Sequence, residues 1–300
     1  MKSEKLNTTI MLKVILFFSL FAFNYSLLSA QSLPSTDVYL INIQQKGDNL
    51  KLADSAKPID ISNNKGYDNQ PMFIEPLNSI AYVSSRNNGP TDVYLYHLDT
   101  KTVTQFTNTP EAEYSPKLTP DGKYISVVKG TEQNLTRISQ DGTQTEKLYT
   151  SKDSIGYYCW MNADHIMAVV LTNPISLKLI TMSTRTEKFL TDSIGRSLFK
   201  YGNAVAVCFM LHNNNTVGLI DARGNCRKWL QLPKGTEDFY VSPDGWLFSS
   251  DGSKLIYCNV KDLALGWQVL ADLKPMGISK IMRLTVNEQK NKLAFVAEEK

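Results

Sequence analysis

Short runs in which apolar and polar residues alternate, each bounded by turn residues, recur along the chain from about residue 37 to residue 298. PMFIEPLNSIAYVSS (71–85), DVYLYHL (92–98) and VTQFTN (103–108) follow one another. EYSPKLTPDGKYISVV (113–128) opens the next group. Period-two alternation broken by Pro, Asp, Asn and Gly reads as consecutive antiparallel strands. Pro120-Asp121-Gly122 is a hairpin signal. Pro presets φ, Asp bonds its own backbone, and Gly takes the positive φ that closes the turn.

The groups repeat with four strands each. The third strand is the clearest marker and recurs at 37–43, 92–98, 134–139, 177–182, 216–221 and 254–260. The fourth follows at 58–62, 103–108, 146–151, 187–192, 227–232 and 267–273. First and second strands precede five of these pairs, near 71–84, 116–128, 157–171, 197–210 and 238–249. The missing first and second strands lie at the other end, as IMRLTV (281–286) and KLAFVAE (292–298). The pattern predicts an all-β, six-bladed β-propeller over residues 34–300, its last blade closed by N- and C-terminal strands. Such closure removes free sheet edges, and stacking buries faces that no single sheet could cover. Within 238–260 two turns compete, Pro243-Asp244-Gly245 and Asp251-Gly252-Ser253; the first leaves the later strands in place. Trp160, Trp229 and Trp267 are expected between blades rather than at a ligand.

Residues 1–30 break the pattern. Lys2, Lys5 and Lys13 precede the apolar run Val14–Phe23, and Ser29-Ala30 precede Gln31. Positive, apolar and small residues in that order predict a secretory signal peptide. Asn24, Tyr25 and Ser26 interrupt the run, which makes it short for a membrane span. A mature chain without a stable span is expected, periplasmic or secreted. No Cys near the cleavage point argues against lipid anchoring. Removing residues 1–30 takes away three Lys and one Glu from a chain of net charge +3, so the remainder is nearly neutral. Without a basic stripe, nucleic acid is not an expected partner. Cys159, Cys208, Cys226 and Cys258 could pair in an oxidising compartment, but Cys208 and Cys258 sit within apolar strands and no zinc spacing occurs. Their disulfide state stays open.

YSPKLTPDGKYISVV resembles the repeat of TolB-type β-propellers, written SPxWSPDGKxIAF. DVYLYHL with VTQFTN resembles that family's DIYVMDL and xxRLT strands. The resemblance covers residues 67–128 well and 238–248 in part. It implies a stand-alone exported propeller of the Gram-negative cell envelope that binds other proteins without catalysis. The sequence carries no counterpart of TolB's own N-terminal α/β domain or of a C-terminal OmpA-like domain, so neither the Tol complex nor peptidoglycan anchoring is implied.

The residues themselves offer little chemistry. No GxSxG elbow occurs. His97, His165 and His212 fall in different repeats. Asp121-Gly122 and Asp244-Gly245 lack the spacer of a sialidase Asp-box. A catalytic set, a metal set and a cofactor are therefore not expected. The face where each fourth strand hands over to the next first strand is the candidate binding rim, since those loops converge on the axis. Its residues are Tyr67, Asp68, Asn69 and Gln70, then Glu113 and Tyr114, then Tyr157 and Tyr158. Arg196, Glu237, Asp238 and Lys280 continue it, and Arg86, with Asn87, Asn88, His212 and Asn213, joins from the loops between second and third strands. Tyr amid charges of both signs suits a protein or glycan partner. The expected function is a monomeric, non-catalytic protein- or glycan-binding scaffold of the envelope. The alternative is a periplasmic hydrolase or lyase acting on a sugar or peptide in the central channel, which a divalent ion on Asp68 and Glu113 would favour.

Overall fold

Alternating side chains reach opposite faces of a strand, and in this molecule both faces are covered. The structure is a computed structural model that describes residues 33–298 apart from 48, 203–205 and 212–214, with the backbone alone for 206–211. His212, Asn213 and the 1–30 segment lie outside the described residues. Among the described residues the strands form six antiparallel sheets.

Asp68–Ile74, Ser79–Ser85, Thr91–His97 and Val103–Gln105 form the second sheet in chain order. The third holds Glu113–Leu118, Tyr124–Lys129, Asn134–Ser139 and Thr145–Tyr149. The fourth holds Ile155–Trp160, His165–Val170, Ser176–Thr181 and Thr186–Asp192. Phe199–Lys200, Ala206–Leu211, Thr216–Asp221 and Cys226–Gln231 form the fifth. Phe239–Val241, Trp246–Asp251, Lys254–Asn259 and Gln268–Asp272 form the sixth. The first sheet is built from both ends of the chain. Ile281–Val286 pairs with Lys292–Glu298, which pairs with Thr36–Lys46 in the register Val38↔Val296 and Ile41↔Leu293.

Each sheet packs on two neighbours. Ile80 and Tyr82 join Val38, Leu40, Ala294 and Val296 of the first sheet. The residues one step along, Ala81 with Val93, join Ile125 and Val127 of the third. Tyr39, Leu293 and Phe295 face the sixth sheet at Phe248 and Tyr257. A single-residue slip would exchange these two sets, so burial on both faces pins the register. The arrangement is a β-propeller. The tryptophans sit at the junctions as expected: Trp160 Nε1 donates to Ser126 Oγ at 2.9 Å across the third and fourth sheets, and Trp267 Nε1 to the Gln231 carbonyl at 2.7 Å.

One strand differs from expectation. The outer edge of the first sheet is not a single strand at 58–62. It is two pieces, Asn49–Leu52 on Ile43–Lys46 and Ile59–Asp60 on Tyr39–Leu40. Thr36–Lys46 runs on beyond the sheet and folds back, with Gly47 at φ 62° and Lys46 opposite Asn49. The ambiguous turn resolves at Pro243-Asp244-Gly245, where the Gly245 amide donates to the Ser242 carbonyl at 3.0 Å.

The Pro120-Asp121-Gly122 turn forms as its chemistry requires. Asp121 Oδ1 accepts from Thr119 Oγ1 at 2.6 Å and from the Lys123 amide at 3.1 Å. Gly122 has φ 69°, and a Cβ there would meet nothing within 4 Å. Gly122→Val should therefore cost about 1–3 kcal/mol through backbone strain alone, not through a clash. An unchanged urea midpoint would show that the turn relaxes without penalty.

Candidate functional site

The innermost strands are irregular, and their irregularity builds the axial cavity. Pairing shifts between Asn69 and Met72, between Tyr114 and Lys117, between Ile155 and Tyr157, and between Met282 and Leu284. Gln70, Ser115 and Arg283 occupy these bulges at φ 57°, 55° and 26°. A bulge re-aims a side chain out of the alternation. Here it brings Gln70, Ser115, Tyr157 and Arg283 to the wall of a cavity of about 70 Å³, to which every sheet contributes. Lys117, Arg196 and Phe199 complete its polar and aromatic lining.

Arg196 and Asp238 close one side. Nε donates to Oδ1 at 2.8 Å and Nη2 to Oδ2 at 2.5 Å, a bidentate pair. Burial pushes the Asp238 carboxyl up, but the bonds from Arg196 and the charge of Arg283 outweigh it and hold the group below the usual carboxylate range. Arg283 lies over the Tyr157 ring at 5.1 Å and donates to its hydroxyl at 3.1 Å. Tyr67 borders the same group, and burial pushes its phenol up to about 12. Deeper in, the Lys117 ammonium stands 5.4 Å from the Phe199 ring centroid. Burial pushes its pKa down, and the charge of Arg283 adds to that. On the neighbouring strand, burial raises the Cys159 thiol. Cys159, Cys226 and Cys258 are free thiols.

The rim residues expected from sequence divide into two groups. Gln70, Tyr157 and Arg196 line the cavity. Tyr67 and Tyr114 lie close enough to interact electrostatically beside them, as does Glu237 with Arg196. Asp238 joins through Arg196. The others serve the scaffold around the site. Tyr158 is fully buried and donates to Ser126 Oγ at 2.7 Å. Glu113 is fully buried and pairs with Lys129 at 3.0 Å. Asn69 is buried, its amide 3.4 Å from Thr36 Oγ1. Arg86 packs over the Tyr94 ring at 4.2 Å and donates to the Ser62 carbonyl at 3.0 Å. Lys280 forms an exposed pair with Glu298 at 2.6 Å. His97 is held between Ser79 and Thr104, at 3.0 and 2.8 Å. Among the described residues no three His, Cys, Asp or Glu side chains converge as a metal site, Asp68 and Glu113 included.

Sequence reasoning did not single out Ser115, Lys117, Phe199 or Arg283. A signal was present at two places: Gln70-Pro71 and Ser115-Pro116 each put proline inside an inner strand, which marks a bulge.

Asp68 is a buried carboxyl whose charged form burial disfavours. Its side chain is buried, Oδ2 accepts from Asn64 Nδ2 at 3.1 Å, and Oδ1 has no partner. Burial raises its pKa from 3.8 to about 6. A carboxyl whose folded pKa exceeds its unfolded value costs stability once it ionises, so this cost is absent below pH ~4 and complete above pH ~6. Asp68→Asn should stabilise the protein by about 2–3 kcal/mol at pH 8 and by little at pH 4. Equal urea midpoints for the two proteins at pH 8 would contradict this.

No family model matches the chain, and no curated protein matches it in sequence. Solved structures do match in fold. A gluconolactonase, XC5397 from Xanthomonas campestris, superposes with a TM-score of 0.62 at 13% identity, over 89% of this chain and 97% of that one. TolB from Acinetobacter baumannii gives 0.55 at 13% identity, over 89% of this chain and 64% of its own. An oligogalacturonate lyase in complex with manganese gives 0.52 at 15% identity, over 86% and 78%. At these identities the likeness is one of fold, and one fold hosts many activities. Among the described residues no helix is long and apolar enough to cross a membrane.

Proposed function

We propose that this chain is a six-bladed, non-catalytic binding propeller, exported to the cell envelope as its N-terminal pattern suggests, which takes its protein or glycan partner at the axial mouth. One observation supports this most. The cavity presents Arg283, Lys117, Tyr157 and Gln70, while the carboxylate beside it, Asp238, is neutralised by a bidentate arginine. General acid–base work needs a group that can gain and lose a proton near the reacting atom. Asp238 is held ionised, and Lys117 faces the Phe199 ring and the Cys159 thiol, with no ion pair to a carboxylate among the described residues. Guanidinium and phenol groups on rigid inner strands are instead what binding hot spots use. The likeness in fold to a TolB accords with this reading; the likeness to a gluconolactonase and a lyase supplies the competing one.

The test is affinity capture from envelope extract by immobilised residues 31–300. Tyr157→Ala should weaken capture about 10- to 100-fold and leave the melting temperature within a few degrees. Capture indifferent to Tyr157 but lost on Lys101→Glu or Arg185→Glu, in turns at the opposite end of the strands, would reject the assignment of the mouth. Turnover of a lactone or acidic oligosaccharide by the purified protein would reject the non-catalytic reading.

A further inference from the structure

The wall of the axial cavity is rich in hydrogen-bond donors and poor in acceptors. The Gln70 carbonyl oxygen accepts from the Ser115 amide at 2.5 Å, so its NH2 is the end left to the cavity. Tyr157 accepts from Arg283 through its oxygen and keeps its own proton to donate. Ser115 Oγ is turned to the Gly156 carbonyl at 3.5 Å. Arg196 and Asp238 satisfy one another. Two cations remain. Arg283 rests on a tyrosine and Lys117 on a phenylalanine, and among the described residues neither makes an ion pair with a carboxylate.

Arg283 shares the field of Asp238, whereas among the described residues the Lys117 ammonium has no carboxylate beside it. An enclosed cation without a counter-charge is costly, and an aromatic face offsets only part of that cost. Both stand on inner strands beside the pairing shifts at Tyr114–Lys117 and Met282–Leu284, which aim them at the cavity. The complement of such a wall is an anion that only accepts hydrogen bonds. An ionised carboxylate is that group. About 70 Å³ admits the carboxylate and a few further atoms, so the rest of the molecule would emerge past Tyr157 and Arg196.

We propose that the axial cavity binds the carboxylate group of a small organic acid, with Arg283 and Lys117 as its counter-charges and Gln70 and Tyr157 as neutral donors. This rests on the reading of the axial mouth as the ligand-bearing face and adds a subsite for a small acid beside the protein or glycan partner.

The experiment is thermal melting of residues 31–300 at constant ionic strength in three probes. Gluconate supplies a carboxylate. Glucitol has the same carbon chain and hydroxyls without one. Inorganic phosphate supplies a different oxyanion. Gluconate should raise the melting temperature by about 5 °C near saturation, while glucitol and phosphate leave it unchanged. Arg283→Gln and Lys117→Met should each abolish the gluconate shift. Lys117→Met should also melt higher than the parent without ligand, because it removes an enclosed, unpaired ammonium while keeping the packing. That second reading separates loss of the site from loss of the fold.

No shift in gluconate, an equal shift in glucitol, or a shift in phosphate alone would overturn the proposal. So would a gluconate shift that survives both substitutions, or a lower melting temperature for Lys117→Met. The two readings fail separately. A gluconate shift together with partner capture indifferent to Tyr157 keeps the carboxylate site and removes the partner-binding role. Capture that depends on Tyr157, with no gluconate shift, does the reverse.

Discussion

A chain that stops at Asn291 should no longer melt cooperatively. Lys292–Glu298 pairs with Thr36–Asn42 over seven residues, and these two strands form the middle of the first sheet. Leu293 and Phe295 cover the sixth sheet, and Ala294 and Val296 cover the second. Removing the strand therefore exposes apolar faces on both sides of the first sheet and leaves Thr36–Lys46 with an open edge. A ring whose sheets each depend on two neighbours has no independent part to fall back on. A milder version is Phe295→Ala. The ring is fully buried and stacks on Tyr39 at a centroid distance of 5.5 Å. Its truncation should cost about 3–5 kcal/mol, a large share of the 5–15 kcal/mol typical of a folded domain. Circular dichroism melts and urea midpoints measure both. A truncated protein melting within a few degrees of the intact one would mean that this strand does not close the ring.

Arg196→Ala should lower stability by about 3 kcal/mol at neutral pH, at the low end for a broken buried pair. The low end applies because the Arg196 side chain is 31% exposed, and because Asp238, at 6%, loses its bidentate partner but keeps the charge of Arg283 nearby. The double change Arg196→Met with Asp238→Leu should recover most of the loss, since the cost lies in the orphaned charge. The pH dependence has a definite sign. The Asp238 carboxyl is held below its unfolded pKa, so the pair stabilises the fold above pH ~4 and loses that contribution as pH falls through the folded value. The gap between parent and Arg196→Ala in urea midpoint should narrow from pH 7 to pH 3. A constant gap would show that Arg196 acts by packing instead of charge.

Much of the propeller is legible in the chain because its signals are local. The strands at 134–139, 216–221, 281–286 and 292–298 lie where alternation places them. Pro120-Asp121-Gly122 and Pro243-Asp244-Gly245 turn where their residues demand it. The outer edge of the first sheet is not legible in the chain, because NLKL (49–52) spans only four residues and its pairing depends on where Thr36–Lys46 bends back. Tyr158 illustrates a different failure. It adjoins Tyr157 in sequence, and alternation alone cannot say which of the two reaches the axis when a bulge at Ile155–Tyr157 intervenes.

The sequence by itself determined the repeat, the strand order and the closure of the ring by the two ends of the chain. Each of these rests on side-chain periodicity and turn chemistry within a few residues. Only the tertiary structure decided which polar groups meet. Gln70, Lys117, Tyr157 and Arg283 come from four sheets, and Arg196 and Asp238 from the loops that lead into the fifth and sixth; Gln70 and Arg283 are 213 positions apart. Their convergence depends on bulges that shift the inner strands out of register. A bulge is set by packing against both neighbouring sheets, and that packing exists only once the ring has closed.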